Sequence, residues 1–337
     1  MSRHRSFQFV LIASFALATL AARPAFAQLN GENLLGDNGV KSGTQPMPGF
    51  YTGTLLYRFH TDTIKGADGR RITFDPNQPA NETINVAAPL AVWVSKRTIL
   101  GAQYGAMAVI PFANASIEAP AFGFSGGVDA SIADIYVVPL QLGWHSSRAD
   151  VTAAFGFFAP TGAYTAGSDE NLGKGMWSYE LSAGTTLYFD RQRTWSVATT
   201  AYWETHSKKE GTDGLAAGPT TLTGVRVGQL LSLEGGAAKS FLHGAAHLGV
   251  AYYAQWKITD DEFGIAPPPG APGIARHRVF GIGPDVTIPI ATKSRLVSLV
   301  NVRYLWEAGA EAKTQGQSIV ITWTAPIPGI RIQQPAK

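Results

Sequence analysis

The stretch HLGVAYYAQW, His247 to Trp256, decides how this chain is read. In an extended strand Leu248, Val250, Tyr252, Ala254 and Trp256 share one face, and His247, Gly249, Ala251, Tyr253 and Gln255 share the other. The first face is apolar and aromatic. The second mixes small, polar and phenolic side chains. The period is two, so the segment reads as a strand with different surroundings on its two sides.

The same texture recurs on both sides of it. In Leu296 to Glu307, Val300, Val302, Tyr304 and Trp306 oppose Asn301, Arg303 and Glu307. In Phe280 to Ile290, Phe280, Ile282, Val286, Ile288 and Ile290 oppose Gly281, Gly283, Asp285 and Thr287. Trp195, Val197 and Trp203 oppose Ser196, Thr200, Tyr202 and Glu204. Twelve such segments are expected, at 49–60, 82–95, 99–111, 128–146, 149–159, 175–189, 194–206, 225–241, 245–258, 276–290, 295–307 and 316–325. No amphipathic helix of three or more turns is expected.

The connections alternate as strictly as the faces. Those around 96–98, 146–148, 190–193, 242–244 and 291–294 are short. Those at 61–81, 112–127, 160–174, 207–224, 259–275 and 308–315 are longer. Tight periplasmic turns and longer external loops are the pattern of a Gram-negative outer-membrane barrel. In hydrocarbon every backbone N–H and C=O needs a partner, and a closed sheet supplies them without helices. The fold class expected is therefore all-β: one antiparallel transmembrane β-barrel of about twelve strands, with both termini on the periplasmic side. Aromatics near segment ends fit interface girdles: Tyr51, Tyr57, Phe59, Trp144, Phe189, Trp195, Trp203, Trp256, Trp306 and Trp323.

The N-terminus agrees. Ser2-Arg3-His4-Arg5 is a positive n-region, Phe7 to Leu20 an apolar core, and Ala25-Phe26-Ala27 a cleavage site before Gln28. Residues 1–27 read as a signal peptide, 28–48 as an N-terminal segment suited to plug the lumen, 49–325 as the barrel and 326–337 as a tail. The chain has 27 Lys+Arg against 24 Asp+Glu. The expected cleavage removes Arg3, Arg5 and Arg23 and no acid, which leaves 24 of each. That balance gives no reason to expect a nucleic-acid partner. With 0 cysteines there is no disulfide, thiol catalysis or Cys-based metal site.

Several stretches resemble the "MetA-pathway of phenol degradation" family. They are Leu142-Gly143-Trp144-His145, Phe157-Phe158-Ala159-Pro160-Thr161-Gly162-Ala163-Tyr164, Asn171-Leu172-Gly173-Lys174-Gly175-Met176-Trp177, Ser182 to Asp190, Gly249 to Trp256 and Gly281-Ile282-Gly283-Pro284-Asp285. The resemblance covers most of the mature chain. It implies an outer-membrane, transporter-like barrel linked to aromatic catabolism. One departure is the C-terminus: many such barrels end on an aromatic residue, whereas fourteen residues follow Trp323 here.

The alternation points Arg58, Glu180, Glu204, Arg226, Glu234, Asp285 and Arg303 into the lumen, where confined charges should pair. Such a network either stiffens the wall or lines a conduit. Phe112, Phe122, Phe124, Tyr164 and Phe263 lie in expected external loops, where they could form an apolar entrance. Gly123-Phe124-Ser125-Gly126-Gly127 matches G-x-S-x-G, but that elbow needs a following helix and here a strand follows. His145, His243 and His247 cannot be placed beside a serine from sequence. Gly281-x-Gly283 lacks a third glycine. The acidic clusters Asp260-Asp261-Glu262 and Asp169-Glu170 read as solvated loop charge, or as bridges to lipopolysaccharide through divalent cations. No catalytic residue, metal or cofactor is expected. The function expected is passive uptake of small hydrophobic or aromatic molecules across the outer membrane, with lipid and lipopolysaccharide as surroundings. A closed structural or adhesive barrel is the alternative, and an outer-membrane hydrolase a third.

Overall fold

The alternating segments become antiparallel strands. The computed structural model describes residues 29–72, 80–119, 124–166, 168, 171–213, 223–265, 275–292 and 296–327. The expected signal peptide, Gln28, Phe122, Asp169, Glu170 and most of the C-terminal tail lie outside the described residues. The strands are β1 (Gly49–Thr61), β2 (Asn81–Ile99), β3 (Ala102–Val109), β4 (Phe112–Ala119), β5 (Phe124–Ile132), β6 (Ile135–His145) and β7 (Ala149–Ala159). They continue as β8 (Ser178–Tyr188), β9 (Trp195–His206), β10 (Leu230–Phe241), β11 (Ala246–Lys257), β12 (Arg278–Ala291), β13 (Leu296–Glu311) and β14 (Gln317–Pro326). The helical content among the described residues is a single 3-10 turn, Leu242–Gly244.

Twelve of these strands close a ring. Neighbours run β1, β2, β3, β6, then β7 through β14 in order, and β14 pairs back onto β1. Tyr51↔Pro326 and His60↔Gln317 mark the ends of the closing ladder. The wall therefore has no free edge along the ring, which satisfies its backbone in hydrocarbon. The short connections gather at one end of the ring and the long ones at the other, which orients the short-turn end to the periplasm.

Two wall strands are split, and here the sequence reading changes. Residues 112–127, expected as an external loop, are mostly β4 and β5. The break falls at Ile110-Pro111. Pro111 has no N–H to donate, and the ladder resumes only at Phe112. Below the break β3 pairs β6; above it β4 pairs β2 and β5. The β4–β5 hairpin thus leaves the ring and extends the sheet outward from β2. The expected turn at 96–98 is also displaced. β2 runs to Ile99, and Leu100 (φ 52°) with Gly101 (φ 77°) makes the turn. Two positive φ values in a row match the right-handed twist of the flanking strands.

Burial follows the pleat. In β11, His247, Ala251, Tyr253 and Gln255 are buried, whereas Leu248 and Val250 are 56% and 49% exposed on the outer face. In β12, Val279, Gly281, Gly283, Asp285 and Thr287 face in while Phe280, Ile282 and Ile288 face out. Phe189, Trp195, Trp306 and Trp323 are exposed on the outer wall, where interface aromatics belong. Tyr57 and Phe59 do not join them. They sit on the buried face of β1 with Leu55, because the period of two places odd positions of this strand inward.

Candidate functional site: the lumen and the segment inside it

The inner faces of β7 to β13 present acidic side chains at successive heights. Glu204, Glu234 and Asp285 are all nearly or fully buried. Their acceptors are met by the backbone of the N-terminal segment. Glu32 N–H donates to Glu204 Oε1 at 2.6 Å and Asn33 N–H to Oε2 at 3.3 Å. Gly36 N–H and Asn38 N–H donate to the two oxygens of Glu234, at 3.2 and 3.1 Å. Val40 N–H donates to Asp285 Oδ2 at 3.2 Å, and Arg303 Nη1 donates to Gly36 O at 2.7 Å. Lower down, Thr44 Oγ1 donates to Asp150 Oδ2 and Gln45 Nε2 to Gln141 Oε1, both at 3.1 Å.

These contacts trace a path along the lumen. Lys257, at the external end of β11, donates to Leu29 O at 2.7 Å and to Asp261 Oδ1 at 2.8 Å. Asp150 and Gln141 lie near the periplasmic ends of β7 and β6. Residues 29–48 therefore run from the external mouth down to the start of β1. Apolar anchors fix the segment at three places. Leu29 packs with Met176, Val225, Val227 and Leu230, with Phe263 against them. Leu35 packs with Ala251, Tyr253 and Leu305, and Leu34 against the Leu55–Tyr57–Phe59 cluster. Glycine lets the backbone come this close: a Cβ on Gly39 would stand 2.0 Å from Asp285 Oδ2.

Five of the seven sequence-predicted lumen residues take part in or line this arrangement: Glu180, Glu204, Glu234, Asp285 and Arg303. Arg303 Nε lies 3.5 Å from Asp285 Oδ2, and Glu180 accepts from Tyr136 OH. Two are elsewhere. Arg58 points outward from β1 and donates to Asn85 Oδ1 at 3.0 Å. Arg226 precedes β10, which begins only at Leu230, and pairs with Glu262 at 3.4 Å on the external surface. Extending that strand down to residue 225 from sequence gave Arg226 a false facing.

The lumen also holds residues the charge pattern did not single out. Tyr57, Tyr136, Tyr188, Tyr202 and Tyr253 give it aromatic faces with phenolic tips. Tyr136 stacks on Phe158, centroids 4.2 Å apart. Tyr253 OH donates to Glu307 Oε1 at 2.7 Å and Tyr188 OH to Asp150 Oδ2 at 2.6 Å. Asp150 also meets His145 and Arg193 at 3.1 and 3.2 Å. The polar faces that alternation gave Tyr202 and Tyr253 were the available signals for the tyrosines.

The entrance aromatics disperse. Phe112 is 47% exposed on the outer face of β4, so it lines the outer wall and no entrance. Phe124 begins β5. Tyr164 lies under Lys209, whose Nζ is 5.4 Å from the ring centroid. Phe263 closes over the Leu29 cluster. The acidic loop cluster is matched by cations: Asp260 pairs with Arg276, Asp261 with Lys257 and Glu262 with Arg226. No group of three or more metal-type ligands occurs among the described residues.

Serine–histidine contacts exist but lack relay geometry. Ser178 Oγ lies 2.9 Å from His206 Nδ1, and Glu204 Oε1 lies 3.5 Å from the same nitrogen. A hydrolytic triad needs the acid and the serine on opposite ring nitrogens; here Nε2 has no partner. Ser125 lies in β5 opposite Glu118, in a strand and not on an elbow.

Comparison with known proteins follows this geometry. The family model described as "Putative MetA-pathway of phenol degradation" matches residues 61–323. The crystal structure of the COG4313 outer membrane channel from Pseudomonas putida F1 aligns with a TM-score of 0.68 at 15% identity, covering 87% of this chain and 99% of that one. The β domain of the Bordetella autotransporter BrkA aligns at 0.47 and 13% identity, over 84% and 100% of the two chains. The CymD monoaromatic hydrocarbon channel aligns at 0.41 and 11% identity, over 91% and 92%. No curated protein matches this chain. The wall is that of an outer-membrane β-barrel, closed and apolar outside.

Proposed function

The chain belongs to the MetA-pathway of phenol degradation family, and from that premise we propose that it is an outer-membrane channel for passive uptake of small hydrophobic or aromatic molecules, with residues 28–48 as its lumen plug. The carrying observation is how the segment is held. Its main-chain N–H groups rest on Glu204, Glu234 and Asp285 instead of on a continuous apolar core. Hydrogen bonds to charged acceptors contribute about 1.5–3 kcal/mol each, and water can take them over one at a time. Such a plug can be displaced without unfolding the wall.

The lining suits the cargo. Tyrosine faces pack apolar rings, and the phenol–carboxylate pairs Tyr136–Glu180 and Tyr253–Glu307 offer acceptors to a cargo hydroxyl. Lipopolysaccharide slows apolar solutes, so a barrel with this interior speeds their entry. On this reading the partners are the cargo and the surrounding outer-membrane lipid, including lipopolysaccharide. The barrel is not an enzyme and uses no cofactor. The COG4313 structure, named as an outer membrane channel, agrees in kind.

The test is uptake of labelled toluene or phenol at limiting concentration, in cells with and without the gene. A slower initial rate without the gene, restored by the full protein, is the expected result. An unchanged rate sinks the transport reading and favours a structural barrel.

A further inference from the structure

The outer wall carries a feature that a lipid-facing surface ordinarily avoids. Arg58 projects outward from β1 and makes no ion pair among the described residues. Its guanidinium donates to Asn85 Oδ1 at 3.0 Å, and Asn85 Nδ2 donates to Asn114 Oδ1 at 2.8 Å. The relay crosses three neighbouring strands in register: Arg58↔Asn85 and Asn85↔Asn114 are paired positions. Both asparagine oxygens are used as acceptors, so the relay presents donors: the remaining guanidinium N–H groups and the Asn114 amide.

These donors lie in a groove. Because the β4–β5 hairpin leaves the ring, the outer face of β14–β1–β2–β4–β5 is concave, with a cavity of about 400 Å³. Leu56, Ala87, Phe112, Ala130, Ile319 and Ile321 give it apolar walls around the polar relay. Leu56 and Phe112 are each 47% exposed, so the groove opens outward.

Its height fits one occupant. Arg58 stands eight residues beyond Phe50, the second residue of β1, which lies at the periplasmic side opposite the outward-facing Trp93. At ~3.3 Å per residue and a strand tilt of ~40°, that is roughly 20 Å of a band ~25 Å tall. Arg58 therefore meets the headgroup edge of the outer leaflet. An unpaired cation there, with amide donors beside it and apolar walls below, is complementary to a phosphate carrying acyl chains. We propose that this groove binds the phosphate-bearing headgroup of an outer-leaflet lipid, with Arg58 and Asn114 donating to the phosphate and Leu56, Phe112, Ile319 and Ile321 flanking an acyl chain. The site rests on the outer-membrane placement alone and is independent of the cargo and the plug.

The experiment uses the full purified chain in detergent, titrated with lipid A and, separately, with diacylglycerol, and read by native mass spectrometry. Heat-modifiable migration on gels reports that each variant is folded. The expected result is that lipid A binds and diacylglycerol does not. Arg58→Gln and Asn114→Ala each weaken lipid A by about tenfold or more, and Arg58→Lys keeps most of the affinity. Asn114 lies on the hairpin outside the closed ring, so its variant remains informative if the β1 variants fail to fold. Equal lipid A binding by Arg58→Gln overturns the proposal. So does equal binding of diacylglycerol, which would make the groove a plain apolar slot. Displacement of lipid A by millimolar inorganic phosphate would reassign the site to a free anion, and displacement by toluene to cargo. Toluene uptake separates the readings: Arg58→Gln that loses lipid A binding with uptake intact leaves the channel standing, whereas a wild-type protein that binds lipid A but does not speed toluene uptake sinks only the channel.

Discussion

The β7–β13 side of the lumen and the β14–β1–β2 side hold the same threaded segment by different physics. On the first side, Asp150, Glu204, Glu234 and Asp285 take hydrogen bonds from it at fixed heights. On the second, Leu34 lies against Leu55, Tyr57, Phe59, Ala88 and Val320. Regularity of the wall divides elsewhere: the β14–β1 and β1–β2 ladders are unshifted. From β7 through β11 the ladders run without a register shift. From β2 to β6 every ladder within the ring is shifted, and Pro111 splits one strand. The carboxylate-bearing β7–β13 side is the template that positions the segment, since directional bonds require fixed acceptors. The β14–β1–β2 side, whose own ladders are unshifted, tolerates displacement of the segment, because apolar packing is indifferent to small slides. Opening of the lumen should therefore proceed by release from the β14–β1–β2 side first.

The strongest way to break this comparison is to remove the segment. Deleting residues 29–47 downstream of the export signal should raise single-channel conductance severalfold in planar bilayers while the barrel still forms. Unchanged conductance would show that the segment does not occlude the lumen.

Next comes one acceptor on the β7–β13 side. Glu234→Ala strands the N–H groups of Gly36 and Asn38. At about 1–3 kcal/mol per abandoned buried group, the segment should loosen enough to show frequent openings in bilayer recordings. Glu234→Gln, which keeps an acceptor, should lie between wild type and alanine. If Glu234→Ala instead leaves gating untouched while Leu34→Ala opens the pore, the roles of the two sides are reversed.

A smaller effect sharpens the contrast in the shifted β2–β6 stretch. Leu100 holds φ 52° in the β2–β3 turn and is 86% exposed, so its side chain packs on nothing that offsets the backbone strain. Leu100→Asn, giving Asn-Gly, should stabilise the barrel by about 0.5–1 kcal/mol, read as a later unfolding midpoint in urea. A destabilised variant would mean that the turn is held by contacts of Leu100 itself.

The most local effect is at the mouth. Burial lowers the Lys209 ammonium from the ordinary 10.5 to about 7, and the nearby charge of Lys174 adds to the shift. Between those values the unfolded chain holds a proton that the folded chain lacks, so stability rises as pH rises from 7 towards 10. Below 7 both states are charged and the burial penalty is fully present. Resistance of the Lys209 loop to proteolysis should increase over that range, and Lys209→Met should flatten the rise.

The alternation of residues such as Leu248, Val250 and Asp285 determined by itself that the chain is a closed, membrane-facing sheet, because a period of two with opposite solvents on each face permits little else. It also placed Glu180, Glu204, Glu234, Asp285 and Arg303 on the inner face, since they lie inside long, regular strands. Where a strand end or a split governs facing, the local pattern loses its phase. Arg226 fell outside its strand, Arg58 was assigned the wrong face, and Tyr57 and Phe59 took the inner one. Tertiary structure alone decided what the inner carboxylates bind. Their partners lie 106 to 245 residues away along the chain, and backbone N–H groups leave no mark in a sequence. It alone also decided that the β4–β5 hairpin departs from the ring, because that depends on which neighbour each half of a broken strand finds across space.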